Sequence, residues 1–119
     1  MFEVRPESRG RRFFIRASGT LTDDDYKELL PRLEKAIAEH GRLRLLVDME
    51  DMAGWELKAA WDDFAFGLKH WNDFERVAMV GTRRWEEILA NVFDKLTKGD
   101  IRFFDIKERD DAHEWIEHD

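Results

Sequence analysis

Three short apolar runs, each following a stretch with helical periodicity, constrain the fold of this chain most strongly. They read LRLLVDM at residues 43–49, RVAMV at 76–80 and IRFFDI at 101–106. Apolar runs of this length between helices are typical of strands buried on both faces of a parallel sheet. The alternation of strand and helix therefore predicts an α/β fold.

The amino-terminal residues predict a β-hairpin ahead of this alternation. Residues 2–7 alternate apolar and polar side chains, as in a half-exposed edge strand, and Pro6 lies near its end. Residues 8–10 form a turn signal, and RFFIRA at 12–17 predicts a second strand. The two strands are expected to pair in antiparallel fashion.

Four helices are predicted after the hairpin. The first follows Thr22, a good N-cap, and ends at Gly41. The second covers residues 55–72, the third begins after Thr82, and the fourth covers residues 110–118. The predicted order is β-β-α-β-α-β-α-β-α, which describes a mixed, mainly parallel five-stranded sheet with packed helices.

The length of 119 residues accommodates one domain, so residues 1–119 are predicted to form a single domain. Charged residues make up 39% of the chain, but 13% aromatic residues argue against disorder. The net charge of −7 argues against nucleic-acid binding, and the lack of cysteine excludes disulfides and thiolate chemistry. No apolar run approaches the roughly 20 residues of a membrane span, so a cytoplasmic location is expected.

The second predicted helix has two apolar faces. At about 100° per residue, one face is a core stripe of Leu57, Trp61, Phe64, Leu68 and Trp71. The opposite face carries Trp55, Ala59, Phe66 and His70. A helix on a sheet buries one face, so the second stripe contacts a neighbouring helix, lines a pocket for an apolar ligand, or forms a partner surface. Under the last two alternatives, Met52, Trp55, Phe66 and His70 form the interaction or ligand surface.

Three carboxylates, Asp48, Glu50 and Asp51, follow the third strand, where such groups bind a metal or act as acid and base. No second motif supplies further ligands at a known spacing, so a solvated loop is the favoured interpretation. His40, His70, His113 and His118 form no recognised metal motif. Neither a catalytic group, a metal site nor a cofactor is predicted.

Serine and threonine are missing from half of the chain. No Ser or Thr occurs between Thr22 and Thr82. A serine nucleophile or a phosphorylatable hydroxyl therefore has no place in the segment after the third strand, which excludes a G-x-S-x-G hydrolase. Arg83 and Arg84 follow Thr82 at a helix start, where they are better explained as surface charges than as an anion site.

Several segments in order resemble the SpoIIAA-like (STAS-type) family, in particular its small stand-alone bacterial proteins. These segments are GTLTDDDY at 19–26, LVDM at 46–49, VAMVG at 77–81, FFD at 103–105 and AHEW at 112–115. The resemblance implies a role in protein–protein contact rather than catalysis. It also implies a distant likeness to CRAL-TRIO lipid-transfer domains. Anti-sigma-factor antagonists of this family carry a phosphorylated serine after the third strand, and this chain has no hydroxyl there.

The leading hypothesis is a non-enzymatic interaction or regulatory module that self-associates and lacks the phosphorylatable serine. The alternative is a carrier or sensor of a small apolar, lipid-like ligand. A carboxylate–metal enzyme built on Asp48, Glu50 and Asp51 is the least favoured of the three.

Overall fold

The computed structural model describes residues 1–6, 8–55, 74–84 and 100–118. Within these residues the strands form one five-stranded sheet in the order β1-β2-β3-β4-β5. The strands are β1 Phe2–Val4, β2 Arg12–Leu21, β3 Leu43–Trp55, β4 Phe74–Gly81 and β5 Asp100–Asp105. The helices are α1 Asp23–His40 and α2 Arg109–Glu117, and α2 follows a 3-10 turn at Ile106–Glu108. Residues 56–72 of the second predicted helix and most of the third lie outside the described residues. The predicted start of the second helix at Trp55 is wrong, because Trp55 is the last residue of β3.

The strand pairing confirms the predicted mixed sheet. β1 pairs with β2 in antiparallel fashion, and β2, β3, β4 and β5 follow one another in parallel. The register places Phe14 beside Leu46 and Leu46 beside Ala78. The predicted hairpin and the predicted parallel strands are therefore both present.

Each face of the sheet is covered by one of the two helices. Side chains alternate between the faces, so neighbouring residues of a strand belong to different cores. Leu29, Leu33 and Ala36 of α1 pack with Ile15 and Val77. On the other face α2 packs onto the sheet, in a cluster of Phe14, Leu46, Ala78, Val80, Ala112 and Ile116. Because both faces are covered, the central strands are apolar on both sides, as the sequence predicted.

The ends of α1 match the sequence signals. The backbone N–H and the hydroxyl of Thr22 donate to Asp25 Oδ2 at 2.9 and 3.1 Å. The backbone hydrogen bond from Thr22 is the main cause that lowers the pKa of Asp25. Gly41 ends the helix with φ 79°, a left-handed conformation that favours glycine. Pro31 lies inside the helix with its ring exposed.

The predicted loop at residues 50–54 is wrong, because β3 continues through it to Trp55. β2 is also longer than predicted, and its last residues pair with this extension. The register joins Gly19 to Met52 and Leu21 to Trp55, after shifts that interrupt a regular ladder. Pairing with β2 gives this segment backbone hydrogen-bond partners, although its acidic residues and glycine are typical of a loop.

A row of arginines on the sheet holds the carboxyl end of α2. Arg12, Arg44 and Arg76 are in register on β2, β3 and β4, and together they form the arginine row. Arg12 donates to the carbonyl of Glu117 at 2.9 Å. Arg44 and Arg76 both donate to the carbonyl of His118, at 3.0 and 2.7 Å. The row satisfies the carbonyls that a helix end leaves without intrahelical partners.

Arg44 is the buried member of the row. Its side chain is only 2% exposed, and its Nε lies 3.1 Å from Glu75 Oε2. It also donates to the carbonyl of Ile116 at 3.1 Å. The hydrogen bond from Arg44 is the main cause that lowers the pKa of Glu75. A buried guanidinium with this many acceptors is part of the core rather than a surface charge.

Trp115 of α2 lies against two further guanidiniums. The Arg76 and Arg102 groups are 5.3 and 5.0 Å from its ring, within the range of cation–π contacts. None of the helices within the described part of the chain is long and apolar enough to cross a bilayer.

Candidate functional site

A groove with a volume of about 340 Å³ lies on the face of the sheet that carries α2. We call it the α2 groove. Its lining combines apolar side chains of the sheet with charged side chains from four elements or their flanks. The lining residues are Arg5, Phe14, Ile15, Arg16, Leu46, Asp48, Glu50, Arg109 and His113.

Strand register brings most of these residues together. Phe14 lies beside Leu46 and Arg16 beside Asp48, on neighbouring parallel strands. The chain beyond β1 returns along β2, where the N–H of Arg5 donates to the carbonyl of Phe14 at 2.7 Å. The α2 groove therefore lies over the first half of β2 and the middle of β3, beside the amino end of α2.

Helix α2 supplies the opposite wall. Arg109 and His113 are four residues apart, so they project from the same side of the helix. The ring of His113 stacks on the buried ring of Phe14, with centroids 4.7 Å apart and an angle of 9° between the planes. This stack joins the wall of the groove to its floor.

Arg109 bridges two of the three carboxylates named from the sequence. Its Nε lies 3.0 Å from Asp48 Oδ2, and a terminal nitrogen donates to Glu50 Oε2 at 2.5 Å. The hydrogen bond that Arg109 donates to Glu50 is the main cause that raises the pKa of Arg109, and Asp48 adds to it. The other Asp48 oxygen accepts the backbone N–H of Glu50 at 3.1 Å.

The third carboxylate, Asp51, pairs with Arg16 instead. The trio is thus divided between two arginines and does not converge on one point. Within the described residues, no three side chains of His, Asp or Glu are grouped as metal ligands. The arrangement matches salt-bridged carboxylates rather than a metal centre, because a guanidinium occupies the space between Asp48 and Glu50.

The residues predicted as an interaction surface have different positions. Met52 is buried, 7% exposed, in a cluster with Ala17, Leu21 and Met49. Trp55 is the last residue of β3, and its backbone is in register with Leu21. Phe66 and His70 lie outside the described residues. The structure therefore moves Met52 from the expected surface into the core.

The remaining sequence candidates are separate from the α2 groove. His40 is exposed at the end of α1, 3.7 Å from Glu39. His118 contributes its carbonyl to the arginine row. Arg83 and Arg84 are exposed at the start of a helix whose continuation is not described.

Sequence reasoning found Asp48 and Glu50 but missed the arginines and His113 that share their groove. Arg5, Arg16 and Arg109 are far apart in the chain and belong to no motif. One signal was available for Arg109: its i, i+4 relation to His113 on an amphipathic helix predicted to pack on the same sheet. The pairing of Arg109 with Asp48 still required the tertiary position of α2.

Comparison with known proteins supports the family. The model of the SpoIIAA-like family matches residues 12–117. The crystal structure of an uncharacterised Shewanella loihica PV-4 protein, of the DUF3478 family and with a SpoIIAA-like fold, is 32% identical. That match has a TM-score of 0.77 and covers 98% of this chain and 92% of that one.

The anti-sigma factor antagonist SpoIIAA, in its unphosphorylated form, is similar in fold alone. Its sequence is 11% identical, its TM-score is 0.64, and the match covers 96% of this chain and 98% of that one. No protein of curated function matches the chain significantly. The likeness to CRAL-TRIO domains stays a prediction. The family model over nearly the whole chain, together with the mixed sheet and its register, shows that this chain belongs to the SpoIIAA-like family.

Proposed function

We propose that the chain is a non-enzymatic, cytoplasmic interaction and regulatory module of the STAS type. The observation that carries this proposal is the fold, shared with the anti-sigma factor antagonist SpoIIAA over 96% of this chain. That neighbour is described as an antagonist of an anti-sigma factor. The segment after Asp48 has no hydroxyl, so this module works without a phosphorylated serine at that place.

The proposed contact surface combines Trp55 with Phe66 and His70 of the predicted second helix, and we assign self-association to it. Met52 is left out, because its side chain packs with Met49 in the core. Trp55 is the last residue of β3, directly before that predicted helix.

Sedimentation velocity tests the surface directly. The wild-type chain is expected to sediment as a dimer or larger species, and Trp55→Asp/Phe66→Asp to sediment as a monomer. Arg32→Asp/Lys35→Asp serves as the matched control, because both residues are exposed on α1. Circular dichroism establishes that each variant is folded.

A monomeric wild type would contradict the proposed self-association, as would a folded double variant that associates like the wild type. The control variant is expected to keep the wild-type sedimentation coefficient. If both doubly substituted proteins dissociate, added negative charge rather than the stripe controls assembly, and the surface assignment is wrong.

The α2 groove does not support the two other hypotheses, a carrier of an apolar ligand and a carboxylate–metal enzyme. Charged side chains dominate its rim, which does not suit the apolar ligand of a lipid carrier. Its carboxylates are bonded to Arg109, which does not suit a divalent cation. An interaction module therefore remains the function with the best support.

A further inference from the structure

We propose that the α2 groove binds a small zwitterion, which is the chemistry of a free amino acid. This inference goes beyond the interaction function and does not depend on it. It rests on the size of the groove, its rigid floor, and the opposite charges on its rim.

The size of the groove suits a small molecule. The volume of about 340 Å³ lies at the lower end of the range for small-molecule sites, roughly 300–1,000 Å³. The groove lies between the sheet and the first turns of α2, so its lining comes from several elements. A free amino acid is among the small molecules that such a volume accommodates.

The floor of the groove is rigid. Phe14 and Leu46 lie side by side on β2 and β3, and each is 2% exposed. The ring of His113 stacks on Phe14. A ligand therefore meets a preformed floor, and the charged side chains of the rim supply the specific contacts.

The rim carries both signs of charge, and its charged side chains keep further hydrogen-bonding atoms beside those in the existing ion pairs. On the β2 side, one terminal nitrogen of Arg16 donates to Asp51, and one terminal nitrogen of Arg5 donates to Glu3. On the β3 side, Glu50 uses Oε2 for Arg109. These side chains are 38–46% exposed, which leaves guanidinium donors and a carboxylate oxygen to face a ligand.

A zwitterion matches this rim better than a simple ion does. An anion placed near Arg16 also meets Asp48 and Glu50, and a cation placed near Glu50 also meets Arg109 and Arg16. Each single charge is therefore attracted and repelled within a few ångströms. A molecule that carries a carboxylate and an ammonium directs each charge toward its opposite, which is the geometry of electrostatic complementarity.

Amide chemical shifts measured by NMR test the proposal. The probes are L-leucine, L-glutamine and glycine betaine as zwitterions, acetate as an anion and ethylammonium as a cation. At least one zwitterion is expected to shift the amides of Arg16, Asp48, Glu50 and His113 in a saturable way, and to bind at least tenfold more tightly than acetate or ethylammonium. Failure of all three zwitterions, or equal binding of acetate, overturns the proposal.

Two charge-removing variants locate the site. Arg16→Gln and Glu50→Gln are each expected to weaken the zwitterion that binds by about tenfold, while the exposed α1 variants Arg32→Gln and Glu34→Gln leave it unchanged. Thermal unfolding checks that the variants are folded, and Arg5→Gln provides a third test, since its side chain lies outside the core. Unchanged affinity in folded Arg16→Gln and Glu50→Gln overturns the assignment. Sedimentation of the same variants is expected to match the wild type, which separates this result from the self-association test.

Discussion

The two ends of α2 are both held by arginine, but in opposite ways. At the carboxyl end, the arginine row donates to backbone carbonyls, and its central member Arg44 is 2% exposed. At the amino end, Arg109 is 34% exposed and pairs with two side-chain carboxylates beside an open groove. The same residue type therefore serves the core at one end and a solvent-facing site at the other.

This difference separates stability from recognition. A buried guanidinium has exchanged its hydration for fixed partners, so removing it leaves those partners unsatisfied. A half-exposed guanidinium keeps water as an alternative partner, so its removal costs little and its contacts can be exchanged for those of a ligand.

The largest expected effect follows from Arg44→Met. This substitution leaves Glu75 without its main partner and removes donors from the carbonyls of Ile116 and His118. We expect a loss of about 3–5 kcal/mol in the free energy of unfolding, measured by urea denaturation. Adding Glu75→Gln to Arg44→Met removes the unpaired charge and is expected to restore part of the loss. A loss below about 1 kcal/mol would show that the arginine row is not a core element.

The matched change at the other end, Arg109→Gln, is expected to cost only about 1 kcal/mol by the same measurement, because both of its ion pairs are partly solvated. Hydrogen exchange adds a local reading. Faster exchange is expected in the first turn of α2, while the amides near Ile116 keep their protection. Equal losses from Arg109→Gln and Arg44→Met would remove the contrast between the two ends.

The smallest effect concerns pH at the carboxyl end. The pKa of Glu75 is lowered in the folded protein, chiefly by its hydrogen bond from Arg44. Its contribution to stability is therefore present above the pKa of the unfolded chain and is lost as the pH falls through the lower folded value. Between about pH 5.5 and pH 3.5, the wild type is expected to lose more free energy of unfolding than Glu75→Gln. Parallel pH profiles of the two proteins would argue against the Arg44–Glu75 interaction.

Local sequence signals predicted the parts of the fold that depend on local structure. The N-cap at Thr22, the glycine at position 41 and the apolar runs of β3, β4 and β5 each act within a few residues, and the structure confirms them. The sequence of β2 alone does not decide whether Phe13 or Phe14 is the core residue, because the two are adjacent and identical. The core resolves it, because Phe14 is 2% exposed whereas Phe13 is only partly buried.

Features that depend on distant partners were not predictable in this way. β3 continues past Glu50 because β2 pairs with it, although an acidic segment followed by glycine is typical of a loop. Arg12, Arg44 and Arg76 belong to no motif, and only the sheet register aligns them. The α2 groove depends on the same register and on the docking of α2, so the spacing of Arg109 and His113 was the one signal its arginines carried in the sequence.

The arginine row also bears on how the chain reaches this fold. The bond from Arg12 to the carbonyl of Glu117 joins residues 105 positions apart, and the Arg44 bond to His118 spans 74. Contacts of such separation close large loops, and folding is slower when they make up more of the native contacts. Because the strand register aligns the three arginines, the full set of bonds to the end of α2 requires that β2, β3 and β4 are already paired.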